Sequence, residues 1–343
     1  MRTINHITSR WLSVVLCLAI GFCTAYGQAP LIFPRSNNAN VGIIVMDLST
    51  GETVAEYNAE RMLTPASINK CVTAAAIEMA GLADDTYQTE VFVRGSDDGC
   101  GRLYGDIIVK ASGDPTIESG RFAGKGNIIN AITKALHESH INEIYGALEI
   151  DSVGFKEQGP IGTWEMGDLR HAYGAGLYAL NFRDNATNQF ALEDPGEEFL
   201  IALEERLDHD SIDVDWNDVA PTPAPMRSIA TIISPTLAEI LRVTLETSHN
   251  LYAEAMLRKL APWGNRADAL KRETALLAEN GIDVESARIF DGSGLTRANS
   301  MTPRFMASLL AYCARQPWGS RYIAYFPLVG REGTVRRLLS DSP

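Results

Sequence analysis

The chain of 343 residues has little cysteine and no sequence repeat. Beyond the N-terminal apolar run only Cys71, Cys100 and Cys313 remain, and their odd number and wide spacing exclude a disulfide framework. No Cys/His cluster has the spacing of metal ligands, so we expect neither a metal nor another cofactor. The lack of repeats and low-complexity tracts argues against fibrous and disordered classes. Hydrophobic residues at 45% and charged residues at 21% are typical of a globular protein.

Basic residues are also few. The sequence has 30 Lys and Arg against 43 Asp and Glu, which gives a net charge of −13. Such an acidic surface argues against nucleic acid and against anionic lipid as partners, because both carry negative charge themselves. The length suggests about two domains, with enough residues for a substantial hydrophobic core.

Residues 1–27 are typical of a secretory signal peptide. Arg2 and Arg10 precede an apolar run, and Ala25-Tyr26-Gly27 places small residues where a signal peptidase reads, so we expect cleavage before Gln28. The alternative is a single membrane anchor, but the run is too short to span a bilayer comfortably. The sequence therefore predicts an exported, periplasmic protein with no stable membrane span after cleavage.

The remaining sequence mixes strand and helix periodicities, which indicates an α/β (α+β) fold. Residues 41–58 alternate around Ser49-Thr50-Gly51 and predict a β-hairpin. Thr64 as the N-cap and Pro65 in the first turn predict a central, buried helix that ends at Gly81. Further strands are predicted at 89–95, 105–117, 144–152 and 211–216, and further helices at 126–140, 197–207, 235–247, 250–263, 267–280 and 304–315.

Composition shifts along the chain predict one domain interrupted by another. The segment PTPAP, residues 221–225, cannot form a helix or a central strand and marks a boundary. Residues 28–85 and 226–343 are interpreted as two halves of one body. Residues 86–225 are interpreted as an inserted domain.

The segment TPASINK places Ser67 three residues before Lys70 at the start of the apolar helix, so that both side chains share one helix face. Burial favours the neutral form of a lysine, and a neutral amine can take the proton of a serine hydroxyl. The N-terminal end of the helix would also stabilise an oxyanion beside Ser67. The spacing alone is a weak signal, since about one such pair is expected by chance. A helix-start serine followed by a solvated lysine is the alternative interpretation.

A second polar motif, Ser248-His249-Asn250, stands at the predicted joint between two helices. A Ser-x-Asn at such a joint can bring a hydroxyl and an amide into a cleft. Ser36-Asn37-Asn38 matches the same pattern, but it precedes Ser67 within a polar leader. The order along the chain and the helical context favour Ser248.

With these motifs in order, the sequence resembles the serine β-lactamase/DD-peptidase superfamily. Within it the chain resembles the class C low-molecular-mass penicillin-binding proteins, the D-alanyl-D-alanine carboxypeptidase/endopeptidase family. The resemblance implies a β-lactamase/DD-peptidase-like catalytic domain with an inserted domain. The stretches that carry it are TPASINK (64–70), SGDPTI (112–117), YGAGLYALNFRDN (173–185), SPTLAEIL (234–241), SHNLYAEAMLRKL (248–260), DGSGLTR (291–297) and VGREGTVRR (329–337).

The resemblance implies a role for each matched residue. Ser67 would attack the peptide carbonyl and become acylated, and Lys70 would take its proton. Ser248 would help return a proton to the leaving D-alanine amine, and Asn250 would hold the Lys70 side chain and bind the substrate's peptide. The expected partners are peptidoglycan stem peptides, with β-lactam antibiotics as covalent inhibitors that acylate the same serine. For Asp114, Asp291 and Arg297, which also match family motifs, we expect structural hydrogen bonding in buried turns and loops.

The sequence departs from the family pattern in one respect. No Lys-Thr-Gly and no close substitute follows Ser248, although the family carries that motif on a strand shortly after the segment matched by residues 329–337. We therefore expect the given chain to lack the C-terminal part of the catalytic domain. Since the loss of one oxyanion donor costs about 10²–10³ in rate, residues 28–343 alone are expected to be nearly inactive, and the full-length protein active.

Two other functions stay open at this stage. One is a β-lactamase or esterase of the same superfamily, which would release the penicillin adduct of Ser67 far faster than a peptidase does. The other is a non-catalytic peptidoglycan-binding protein that keeps the fold. The missing Lys-Thr-Gly motif is the reason to consider it. The inserted segment and GDPTI, residues 113–117, favour the peptidase.

Overall fold

The computed structural model describes residues 40–122, 124–215 and 226–338. The predicted signal peptide and the PTPAP boundary lie outside these ranges. Within them, the chain folds into helices, one six-stranded sheet and three two-stranded sheets. No helix among these residues combines the length and the apolar character needed to cross a bilayer.

The strands are numbered in chain order. They are β1 (Ile43–Met46), β2 (Thr53–Tyr57), β3 (Gln88–Asp97), β4 (Arg102–Lys110), β5 (Glu143–Tyr145), β6 (Leu148–Asp151), β7 (Ala186–Thr187), β8 (Phe190–Ala191), β9 (Asp213–Asp215), β10 (Met226–Ile233), β11 (Ala287–Arg288) and β12 (Ser300–Met301).

The α-helices follow the same rule. They are α1 (Lys70–Met79), α2 (Ile128–Glu138), α3 (Pro195–His209), α4 (Leu237–Thr247), α5 (Asn250–Lys259), α6 (Arg266–Glu279), α7 (Pro303–Arg315) and α8 (Gly319–Ile323). Short 3₁₀ turns lie at Ala66–Asn69, Ala172–Gly174, Arg183–Asn185, Val284–Ser286 and Gly333–Val335.

The six-stranded sheet has the order β10-β3-β4-β5-β9, and β6 also pairs with β4. The β10, β3 and β4 strands are antiparallel, whereas β4 pairs in parallel with β5 and β6, and β5 in parallel with β9. The inward side chains of β3 and β4, with helices α2 and α3, form an apolar core that includes Val91, Leu103, Ile107, Ile132 and Phe199. This cluster is called the sheet core below.

A second hydrophobic cluster, called the helical core below, surrounds α1. It unites side chains of α1, α4, α5, α6, α7 and α8, among them Val72, Ile77, Tyr252, Met256 and Leu309. Every residue of α1 from Lys70 to Glu78 is buried. The prediction of a central, buried helix is therefore confirmed.

The predicted hairpin is confirmed as β1 paired antiparallel with β2. Its turn forms because the Asp47 carboxylate accepts hydrogen bonds from the backbone N–H groups of Ser49 and Thr50, at 2.7 and 3.0 Å. Gly51 completes the turn with φ +81°, a left-handed conformation that glycine adopts without strain.

Three local predictions are wrong, and one of them is the single strand over 144–152, which the structure divides into β5 and β6. The helix after Thr64 does not begin as an α-helix, because the 3₁₀ turn Ala66–Asn69 precedes α1 and no side chain caps it. The strand predicted over 105–117 ends at Lys110. Beyond it Gly113 has φ +78°, and the Asp114 carboxylate accepts from the backbone N–H of Thr116 at 2.8 Å, so the chain turns there. The remaining predicted helices are present, with ends shifted by a few residues.

Candidate active site

Ser67 and Lys70 are brought together by the 3₁₀ turn that precedes α1. Ser67 lies within the turn and is exposed, whereas Lys70 is the first residue of the helix and only 2% exposed. The backbone N–H of Lys70 is directed at the carbonyl oxygens of Ser67 and Ile68, which closes the turn. An exposed hydroxyl is thus held beside an amine that is almost removed from water.

The Lys70 amine makes three hydrogen-bond contacts. Its Nζ lies 3.0 Å from Ser67 Oγ, 2.6 Å from Asn250 Oδ1 and 2.7 Å from the carbonyl oxygen of Ser293. The two carbonyl oxygens can only accept, so they use two N–H bonds of the amine. In the neutral form the lone pair of Nζ is then left for the Ser67 hydroxyl proton. The arrangement therefore fits a neutral amine that acts as a general base.

Electrostatics around Lys70 agree with this geometry. Burial lowers the pKa of Lys70 from 10.5 to about 8, against the opposing effects of the carboxylates of Glu254 and Asp291. A lysine with such a pKa is neutral in about a tenth of molecules at pH 7, a few hundred times the fraction expected at the ordinary pKa. An adjacent base of this kind is what a serine hydroxyl needs to become a nucleophile.

Asn250 connects α5 to the pair. It is the first residue of α5, and while its Oδ1 accepts from Lys70, its Nδ2 donates to the Tyr173 carbonyl at 2.7 Å. One side chain thereby links three segments of the chain. Both the burial of Asn250 and its contact with Lys70 agree with the predicted role of holding the lysine.

Ser248 lies at the junction of α4 and α5 in the left-handed conformation, with φ +59° and ψ +41°. Its hydroxyl makes no hydrogen bond to another described residue. Direct contacts therefore join Ser67, Lys70 and Asn250, and Ser248 is connected to them only by its position two residues before Asn250. Ser248 and Asn250 both line one cavity. Asn250 thus belongs both to the contacts of Lys70 and to the cavity beside Ser248, while the catalytic roles of Ser67, Lys70 and Ser248 stay predictions.

The cavity beside Ser248 has a volume of about 460 Å³. Its wall has more basic than acidic side chains. The acidic one is Asp184, and the basic ones are Arg121, Arg183, His171 and His249. The cavity lies at the junction of α4 and α5 and is also lined by the segment around Tyr173. A peptide chain in this cavity would lie alongside the Ser248 hydroxyl.

A buried network fixes the start of α5. The Tyr252 hydroxyl donates to Asp184 Oδ1 at 2.5 Å, and the His249 ring stacks on Tyr252 with centroids 3.9 Å apart. Burial raises the pKa of Asp184, but the His249 ring, with Nε2 3.8 Å from Oδ2, and the hydrogen bond from Tyr252 outweigh it, so that the pKa falls below its usual range. Asp184 is therefore ionised and anchors the residues that flank Ser248.

The loop after β11 supplies the third partner of Lys70. Asp291 is fully buried, and its carboxylate accepts from the backbone N–H groups of Gly294 and Thr296 at 2.8 and 2.7 Å and from Trp164 Nε1 at 3.0 Å. These bonds agree with the expected structural role of Asp291. Arg297 differs from the expectation, because its side chain is 71% exposed and pairs with Glu165.

Two participants escaped the sequence analysis. Ser293 contributes a backbone carbonyl, which leaves no signal in the residue type. Glu254 is buried next to the same loop, and the one available signal is its position four residues after Asn250, which places both on one face of α5.

Comparison with known proteins identifies the class of protein. The chain belongs to the D-Ala-D-Ala carboxypeptidase 3 (S13) family, whose model matches residues 30–205 and 183–342. The resemblance to class C low-molecular-mass penicillin-binding proteins is thereby confirmed.

Individual relatives agree with the family match. D-alanyl-D-alanine carboxypeptidase DacB of Haemophilus influenzae is 22% identical, over 87% of this chain and 76% of the relative. D-alanyl-D-alanine carboxypeptidase of an Actinomadura species is 23% identical, over 87% of this chain and 69% of the relative. The crystal structure of penicillin-binding protein 4 from Haemophilus influenzae superposes with a TM-score of 0.73 at 19% identity, covering 87% of this chain and 80% of that one. This superposition confirms the predicted α/β fold of the DD-peptidase type.

Proposed function

We propose that this member of the S13 family is a serine-type D-alanyl-D-alanine carboxypeptidase/endopeptidase that acts on peptidoglycan stem peptides through an acyl-enzyme on Ser67. Family membership and the two carboxypeptidase relatives support the activity. The observation that supports Ser67 most directly is the 3.0 Å contact of its Oγ with the buried Lys70 Nζ. The other two contacts of that amine leave its lone pair for the serine proton.

The proposed reaction combines these contacts with the residue roles that the family resemblance implies, including that of Ser248. Neutral Lys70 takes the proton of Ser67 as Oγ attacks the carbonyl carbon that precedes the terminal D-alanine. The tetrahedral intermediate collapses by breaking the peptide bond, and the leaving amine receives the proton from Lys70 through Ser248. Water then attacks the ester carbonyl and gives a proton to Lys70, which passes it to Ser67 Oγ as the ester bond breaks and the shortened peptide leaves. Such general-base catalysis contributes about 10²–10⁴ in rate.

β-Lactams are expected to acylate the same serine. A β-lactam carries a strained amide that imitates the scissile peptide bond, so Ser67 would open the ring and retain the product as an ester. A relative supports this expectation, because penicillin-binding protein 4 of Haemophilus influenzae has been crystallised with a β-lactam.

The domain division is part of the proposal. We assign 28–85 and 226–343 to the catalytic domain and 86–225 to the inserted domain, as the sequence predicts. The separate helical and sheet cores support two units. Since β10 pairs with β3, the second crossing between the units is better drawn after Ile233. The predicted signal peptide supports export to the periplasm, where peptidoglycan lies.

One experiment tests the function. The full-length protein is incubated with penicillin, digested, and examined by mass spectrometry for the adduct. We expect one adduct, on the peptide that contains Ser67, and none in Ser67→Ala. Ser286→Ala, which alters a partly exposed serine bonded to Asp283, is the matched control and should label normally. An adduct elsewhere would refute the assignment of Ser67.

The same sample separates the alternatives. A peptidase keeps the adduct for hours and releases D-alanine from a synthetic stem peptide. Rapid loss of the adduct without D-alanine release would indicate a β-lactamase or esterase. A full-length protein that neither labels nor cleaves would indicate a non-catalytic peptidoglycan-binding protein.

A further inference from the structure

Glu254 is a fully buried carboxyl group one helical turn beyond Asn250 on α5. Its Oε1 accepts from the backbone N–H of Ser293 at 2.8 Å, and its Oε2 accepts from the backbone N–H of Gly292 at 3.2 Å. Burying a carboxyl group costs free energy unless hydrogen bonds compensate. Here both oxygens bond to one short turn of the loop after β11.

That turn is the one that contacts Lys70. Ser293 donates its N–H to Glu254 and accepts from Lys70 Nζ at 2.7 Å through its own carbonyl oxygen. Neighbouring residues of α5 therefore hold Lys70 twice, directly through the amide of Asn250 and indirectly through Glu254 and Ser293. We propose that Glu254 is a positioning residue for acylation, whose carboxyl group holds the Gly292–Ser293 turn so that the Ser293 carbonyl meets the Lys70 amine.

This inference rests on the proposed function of Ser67 and Lys70. Glu254 is too deeply buried to touch a substrate, so it acts through the loop and through its charge. The ionisable groups around it come from three other elements: Lys70 on α1, Asp291 in the loop and Glu273 on α6. Cys71 and His249 are the further titratable neighbours of Lys70.

The charge of Glu254 changes the pKa of Lys70 in a known direction. Burial, and next the charge of Asp291, raise the pKa of Glu254 to about 7. When ionised, Glu254 raises the pKa of Lys70 and thus opposes the effect of burial. Removing this negative charge must lower the pKa of Lys70, so the amine stays neutral to lower pH.

Two substitutions of Glu254 separate the role of its hydrogen bonds to the turn from the role of its charge. Glu254→Gln keeps one acceptor for the turn and removes the charge, whereas Glu254→Ala removes both acceptors. Asp106→Asn is the matched control, because Asp106 is also a buried carboxylate but lies in the six-stranded sheet, where it pairs with Arg94 at 2.8 Å. The readout is the second-order rate of Ser67 acylation by penicillin as a function of pH, measured on full-length protein.

For Glu254→Gln we expect the midpoint of the acidic limb to move down by about one pH unit, since a nearby opposite charge typically shifts a pKa by that much. For Glu254→Ala we expect the plateau rate at high pH to fall about 10²-fold, as misplacement of a catalytic group by about 1 Å does. Asp106→Asn should keep the wild-type midpoint and plateau.

The proposal is overturned if Glu254→Gln keeps the wild-type midpoint, or if Glu254→Ala keeps the plateau of Asp106→Asn. If Glu254→Ala does not fold, the midpoint of Glu254→Gln alone decides. Failure of the wild-type protein to form a Ser67 adduct refutes the proposed function instead. A labelled wild type with unshifted variants refutes this inference and leaves the function intact.

Discussion

The helical core and the sheet core both exclude water, but they bury different chemistry. Around α1 the buried residues include Lys70, Glu254, Glu273 and Asp291, together with the amide of Asn250. The sheet core consists of aliphatic and aromatic side chains, most of them from β3, β4, α2 and α3. The buried carboxylate of its sheet, Asp106, pairs with Arg94 at 2.8 Å.

This difference indicates where the chemistry lies. Burial raises the pKa of Glu273 to about 8 and of Glu254 to about 7, and it lowers that of Lys70 to about 8. Groups shifted toward neutral pH by burial and by specific neighbours are typical of catalytic sites. The sheet core contributes packing free energy, whereas the helical core also surrounds groups whose pKa values burial shifts toward neutral pH. Each prediction below tests that division.

The largest expected effect is on Lys70. Lys70→Met keeps most of the side-chain volume but removes the base, so acylation of Ser67 by penicillin should slow by about 10²–10⁴. The measurement is the rate of labelling with a fluorescent penicillin, with circular dichroism as the check of folding. Labelling at the wild-type rate would show that another group takes the serine proton.

In the sheet core, Ile132→Ala should act on stability alone. Ile132 is fully buried on α2, and deleting three buried carbon atoms lowers the free energy of unfolding by about 2–5 kcal/mol. Urea denaturation measures this loss. The acylation rate of the folded protein should stay at the wild-type value, and a slowed rate would mean that the two cores are coupled.

The pH dependence of acylation sharpens the same contrast. Because Lys70 must be neutral, the rate is full above its pKa of about 8 and falls as pH drops through that value. Below it, each pH unit should reduce the rate about tenfold until other groups titrate. Penicillin labelling in a series of buffers gives the profile. Ile132→Ala should show the same midpoint. A rate that stays constant from about pH 6 to about pH 9, where a lysine of this kind titrates, would contradict a lysine base.

The smallest effects are expected at two helix N-caps, one in each region. Asn127 accepts from the backbone N–H of Asn130 at 3.0 Å before α2, and Asn265 accepts from that of Asp268 at 2.9 Å before α6. Each Asn→Ala change should cost about 1 kcal/mol of stability. Thermal unfolding measures both, and neither should alter Ser67 labelling. A much larger loss of stability at one cap would show that the folded state depends on that helix more strongly than its packing indicates.

Local signals made several predictions reliable. The hairpin follows from alternation around a short polar turn, and the buried character of α1 follows from its unbroken run of small apolar residues. The approach of Lys70 to Ser67 follows from helical spacing. The start of α1 was predicted less well, since Thr64 has the right residue type for a cap but the chain forms a 3₁₀ turn first.

Other parts of the site depend on contacts between residues far apart in the chain. Asn250 lies 180 positions from Lys70, and Ser293 lies 223 positions from Lys70. No local sequence pattern therefore predicts their contacts with the lysine. The cap and turn chemistry at Asp114 also outweighed strand propensity, which ended β4 at Lys110. The predicted domain boundary near 225 lies in a segment outside the described residues, and only pairing shows that β10 joins the sheet of the preceding segment.

The sequence by itself determined that a serine and a lysine share one turn at the start of an apolar helix, because that relation depends on backbone geometry alone. The tertiary structure decided which groups surround the amine: two carbonyl acceptors, a buried carboxyl group behind one of them, and enough apolar packing to lower the pKa of Lys70. Desolvation and charge depend on every neighbour within several ångströms, and those neighbours are assembled only when distant segments pack.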